Sequence, residues 1–78
     1  MNYNREMATM IEAYLQDPSV RAAIAEDVGS PIAYTYDWKH NRILVHGSTR
    51  KREFSITEMY FRLQAMRETI RRAEGGSA

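Results

Sequence analysis

Cysteine is absent from this 78-residue chain, so disulfides, thiol chemistry and every Cys-based zinc site are excluded. A domain this small buries only about 60% of the surface that its unfolded chain exposes. Without covalent or metal staples it must rely on helix packing or on a second subunit. No apolar stretch approaches the roughly 18 residues needed to span a bilayer. The first twenty residues carry Arg5, Glu6, Glu12 and Asp17, which breaks any signal-peptide core. Glycine is scarce, and no glycine-rich phosphate loop occurs. The two histidines, His40 and His46, match no recurring zinc spacing. Together these absences predict a soluble cytoplasmic protein with no membrane partner, no cofactor and no metal.

What is present is charge, unevenly placed. Residues 1–30 hold two cations and five anions, a net of −3. Residues 39–72 hold nine cations and three anions, a net of +6. The overall charge of +1 therefore conceals an acidic front and a basic back. Such asymmetry points either to a charged partner or to attraction between the two halves inside one fold.

Hydrophobic spacing predicts an α+β domain over residues 1–74, with two helices, a small antiparallel sheet and a long final helix, followed by a flexible tail at 75–78. Tyr3, Met7, Met10 and Tyr14 recur at helical intervals, widened by Ile11 and Leu15, with Asn4 or Asn2 as the cap. The helix should end near Gln16, where Asp17-Pro18 opens a second one. Val20, Ile24 and Val28 form its stripe, and Gly29 with Pro31 stops it.

Ile32, Tyr34 and Tyr36 then alternate with Ala33, Thr35 and Asp37 as in a strand. A turn over Trp38–Asn41 returns the chain through Arg42–His46, with Asn41 suited to a left-handed position. This register sets Tyr34 opposite Val45, Tyr36 opposite Ile43, and Asp37 opposite Arg42 as a cross-strand ion pair. A second turn at Gly47-Ser48-Thr49 leads to Arg50–Phe54, a short charged edge that makes the sheet two- or three-stranded. Ser55-Ile56-Thr57-Glu58 is a capping box, with Phe54 and Met59 as its staple. Ile56, Met59, Tyr60, Leu63, Met66 and Ile70 form the buried stripe that follows. Glu58 with Arg62, and Glu68 with Arg72, are favourably ordered surface pairs.

Three groups of residues lie outside this structural logic. Phe61 falls nearly opposite the apolar stripe, on the side of Ala65, Glu68 and Arg72, so it is either enclosed by a second layer or offered to a partner. Trp38, Lys39 and His40 occupy a turn where an aromatic anchor suits a contact loop. Arg50, Lys51 and Arg52 form a compact basic cluster that suits a partner with an acidic surface. The methionines Met7, Met10, Met59 and Met66 are adaptable, but their places on apolar stripes are those of ordinary core.

Three classes of function compete. The leading one is a small non-catalytic regulator, inhibitor or adaptor that occludes a protein partner, a role suited to an accessory protein of a phage-like or other mobile genome. Opposite charge on the two halves also suits a homodimer. The second is a nucleic-acid-binding module that uses a basic sheet and helix surface, with Arg42 and His46 on the sheet face opposite Tyr34 and Tyr36 and the Arg50, Lys51 and Arg52 cluster as further contacts. A pI near 8 and an acidic front weigh against it, and Arg67, Arg71 and Arg72 are also explained by the dipole of the final helix. The third is a metal-free ribonuclease of toxin type using His40, His46, Arg50 and Tyr34, which requires those groups to converge.

Overall fold

Asp17 sets the first corner of the chain. In a computed structural model, which describes residues 3–75, helix α1 spans Tyr3–Leu15 and helix α2 spans Pro18–Val28. The Asp17 carboxylate accepts the Ser19 N–H at 2.9 Å, and Pro18 occupies the first helical turn, where its missing donor costs nothing. Gly29 ends α2 with φ +91°, and its N–H donates to the Ala25 carbonyl at 2.8 Å. Asn4 lies inside α1 rather than capping it. Asn2 and the Tyr3 side chain are outside the described part of the chain, as are residues 76–78 of the expected tail.

Three strands follow, β1 (Ala33–Asp37), β2 (Arg42–His46) and β3 (Lys51–Ser55), in an antiparallel meander of order β1-β2-β3. Asn41 takes the left-handed conformation at φ 57° that closes the first turn. The predicted register holds, with Tyr34 against Val45, Tyr36 against Ile43 and Asp37 against Arg42. The expected Asp37–Arg42 ion pair does not form. Asp37 turns to His40 within its own turn at 2.9 Å, and Arg42 reaches across to Glu53 on β3 at 3.6 Å.

Helix α3 (Ile56–Gly75) follows β3 without a loop. Ser55 Oγ accepts the Glu58 N–H at 3.0 Å, while the Glu58 carboxylate lies toward Arg62 at 3.6 Å. Among the described residues no ion pair joins Glu68 to Arg72. Gly75, expected in the tail, is the last helical residue.

The core lies between the helices and one face of the sheet. Ile11 and Leu15 of α1, Val20, Ile24 and Val28 of α2, and Ile56, Met59 and Leu63 of α3 close over Ile43 and Val45 of β2. Met10 departs from the predicted stripe, because it lies at the rim of the α1 face and stays 50% exposed.

Tyr34 and Tyr36 line the helix-facing side of β1, and Tyr36 stacks on Trp38 with ring centres 4.7 Å apart. The Tyr34 hydroxyl donates to the Glu12 carboxylate of α1, but the Tyr36 hydroxyl is sealed from solvent with no hydrogen-bond partner. Burial first, then the charge of Glu12, pushes the Tyr36 phenol up to about 12 from its ordinary 10. A neutral group whose pKa is raised by folding contributes its stability in full below pH 10. That contribution is lost as pH climbs from 10 toward 12. Tyr36→Phe removes both the orphaned hydroxyl and this ionisation. It should raise the unfolding free energy at neutral pH by about 1 kcal/mol. In urea melts, the variant should also show a shallower alkaline decline than the parent.

Candidate functional site

The basic cluster is anchored from within the fold. Arg52 donates through Nε and one Nη to the two oxygens of Asp27, at 2.9 and 3.1 Å, and Arg50 lies 3.5 Å from the same carboxylate. The Arg52 hydrogen bond, helped by the charges of Arg52, Arg50 and Arg62, holds the Asp27 carboxyl below its ordinary range. The turn between β2 and β3 is brought there by the Val28 carbonyl, which accepts both Thr49 N–H at 2.9 Å and Arg50 N–H at 3.2 Å. A second bridge joins Arg67 of α3 to Asp17 at 3.2 Å. The acidic front and basic back thus meet inside one α+β fold. Each exposed pair contributes little to stability, but together they direct where the arginines point.

Asp27 was not among the sequence candidates. One signal for it exists, since a carboxylate in the last turn of a helix opposes the helix dipole and calls for a cation.

Beside these ion pairs lies a cleft of 420 Å³ between α2, β3 and α3. Val45 and Phe54 form its floor, Ile24 and Val28 one wall, and Met59 and Leu63 the other. Asp27, Arg52 and Arg62 stand at its mouth, and the Arg62 guanidinium lies 4.9 Å above the Phe54 ring.

The remaining candidates occupy other surfaces. Phe61 is 56% exposed, so no second layer encloses it. It meets Tyr60 edge-on at 5.1 Å, and Tyr60 lies 6.2 Å from Tyr14, giving a run of rings along the seam of α1 and α3. Glu68 and Arg72 are exposed farther along α3. Trp38 is 38% exposed, with Tyr36 on one side and the Arg5 guanidinium 4.1 Å from its ring centre. Lys39 and His40 extend this turn into solvent.

Arg42, His46 and Lys51 share the outer face of the sheet with Leu44 and Glu53. Arg52 does not join them, because register places it on the helix-facing side beside Val45. Arg42 and His46 share the face opposite Tyr34 and Tyr36 as expected, Lys51 joins them, and Arg52 lies on the other face. The ribonuclease quartet is divided. His40 lies in the β1–β2 turn, His46 at the opposite end of β2, and Tyr34 on the inner face against Glu12.

Among the described residues no cluster of three or more His, Asp or Glu is arranged to hold a metal ion, and no helix is long and apolar enough to cross a membrane. Comparison with protein-family models, curated proteins and solved structures finds no match.

Proposed function

We propose that this chain is a non-catalytic protein-binding regulator, inhibitor or adaptor that occludes a partner stoichiometrically. The observation that carries this reading is the division of its surface. Arg42, Arg50, Arg52, Arg62 and Arg67 each face a carboxylate of the same chain within 4 Å, whereas Phe61 and Met10 remain in solvent. A phosphate-binding surface gains affinity from cations free to displace counterions. A protein interface gains it from large rigid apolar anchors ringed by polar groups, and Phe61 beside Tyr60 and Tyr14 has that character. The residual positive charge suits a partner with an acidic surface, and the same ring seam suits a second copy of the chain.

Quantitative affinity capture with the tagged chain tests this. The expected result is a saturable stoichiometric protein partner, bound about tenfold or more weakly by Phe61→Asp. The variant should keep its circular dichroism spectrum, because position 61 is exposed. Labelled duplex DNA and single-stranded RNA should show no binding at low salt.

A nucleic-acid role is the second reading, favoured by the open sheet face that carries Arg42, His46 and Lys51. Salt-steep affinity for duplex DNA, lost when Arg42 and Lys51 become Ala, would replace the first reading with this one.

A further inference from the structure

We propose that the exposed stripe of α3 is the contact surface for a second copy of the chain, the two α3 helices lying antiparallel across a two-fold axis at Ala65. This inference rests on the reading of Phe61 as a protein-binding anchor and names the occupant that meets it.

The reach of α3 comes first. Its buried residues, Ile56, Met59 and Leu63, all lie in the first half of the helix. Beyond Leu63 only Met66 and Ile70 touch the core, and both are half-buried. An isolated helix of about twelve residues is marginal in water, and residues 64–75 make a segment of that length. Antiparallel pairing lays the distal half of each α3 along the anchored half of the other. Each copy then covers what the other leaves open.

Spacing and size fit the same arrangement. Glu58, Phe61, Ala65, Glu68 and Arg72 recur at alternate steps of three and four, as along the seam of paired helices, and all five are exposed. With the axis at Ala65, the Phe61 ring enters the hole bounded by Ala65, Glu68, Thr69 and Arg72 of the second copy. Ala65 is small, which lets the two helices approach closely where they cross the axis. Two-fold symmetry makes the contact twice.

Charge fixes the register. Glu58 and Arg62 lie 3.6 Å apart on one turn of α3. Glu68 and Arg72 have the same spacing, yet among the described residues neither meets an opposite charge. About an axis at Ala65, Glu58 falls opposite Arg72 of the second copy, and Arg62 falls opposite Glu68 of the second copy. Each charge then has an opposite charge four residues away on its own helix and another across the axis. A parallel pair in register would instead set Glu58 against Glu58 and Arg62 against Arg62, which is repulsive. An apolar centre at Phe61 and Ala65 inside a ring of matched charges has the anatomy of a protein interface.

The test is sedimentation equilibrium of the purified full chain over a range of concentrations. A reversible monomer–dimer equilibrium is expected. Phe61→Asp and Ala65→Arg should each weaken it about tenfold or more and leave the circular dichroism spectrum unchanged, because both positions are exposed. Two charge-reversed double variants test the register. Glu58→Arg with Arg62→Glu, and Glu68→Arg with Arg72→Glu, should each weaken self-association about tenfold or more, since like charges then meet across the axis. Mixed in equal amounts, the two should form a heterodimer as tight as the parent dimer, because each reversal answers the other. Phe61→Asp and Ala65→Arg carry the test alone if either double variant does not fold.

A parent chain that stays monomeric at every concentration would overturn the self-contact, and the Phe61 capture experiment would still judge the wider function separately. A dimer indifferent to Phe61→Asp and Ala65→Arg would place self-association on another surface and overturn this one. Double variants that dimerise alone as tightly as the parent, or that fail to pair when mixed, would overturn the antiparallel register.

Discussion

Leu63→Ala should lower the unfolding free energy by about 3 kcal/mol, the middle of the range for deleting a buried leucine. Leu63 is fully buried on α3, in one cluster with Ile11, Leu15 and Val45, so the truncation removes contacts to both a neighbouring helix and the sheet. Collapse around the vacancy is limited, because Leu63 also forms part of the cleft wall and the lost volume adds to an existing opening. A domain of this size has a total stability of only about 5–10 kcal/mol. The loss should therefore lower the melting temperature by about 15 °C. Phe61→Ala, two positions away but exposed, should change stability by no more than about 0.5 kcal/mol. Thermal and urea melts of the two variants check the orientation of α3. If they proved equally destabilised, the helix would not pack on the face described.

Gly47→Ala should be comparably damaging for an unrelated reason. Its backbone approaches the end of α2 so closely that an added Cβ would overlap the Gly29 carbonyl oxygen and come within 2.5 Å of the Val28 oxygen. Both obstacles are main-chain atoms at a helix cap, and neither can rotate away. Val28 is held further by its hydrogen bonds from Thr49 and Arg50. The substitution must push the β2–β3 turn off α2, which strains those bonds and the Arg52–Asp27 bridge. A cost of about 3 kcal/mol is expected, at the upper end of overpacking penalties. Ser48→Ala, at the exposed neighbouring position, should cost under about 0.5 kcal/mol. A Gly47→Ala variant as stable as the parent would mean that the turn does not sit against the helix.

The elements were legible wherever a signal acts within a few residues. Asp17-Pro18, Asn41 and Ser55 each settle a boundary through a backbone group close by in the chain, and each boundary falls where they place it. The meander register was legible because only one pairing brings Tyr34 and Tyr36 opposite Val45 and Ile43.

Neighbour choice was less legible. Asp37 and Arg42 do lie opposite one another, yet Asp37 finds His40 locally and Arg42, on the central strand, finds Glu53 on the far side. Helical periodicity placed Met10 on the apolar stripe, but only the position of α3 decides which rim of that stripe is covered.

The sequence by itself determined the order of helices and strands, their caps, and the unequal charge of the two halves. These follow from contacts three or four residues apart, or from composition. Tertiary structure alone decided that Asp27 faces Arg50 and Arg52, and that Arg52 points inward while Lys51 points outward. The Asp27–Arg52 pair spans 25 positions, and its closure depends on how α2 meets the β2–β3 turn. That meeting is the sum of many small packing forces, and no short run of residues records it.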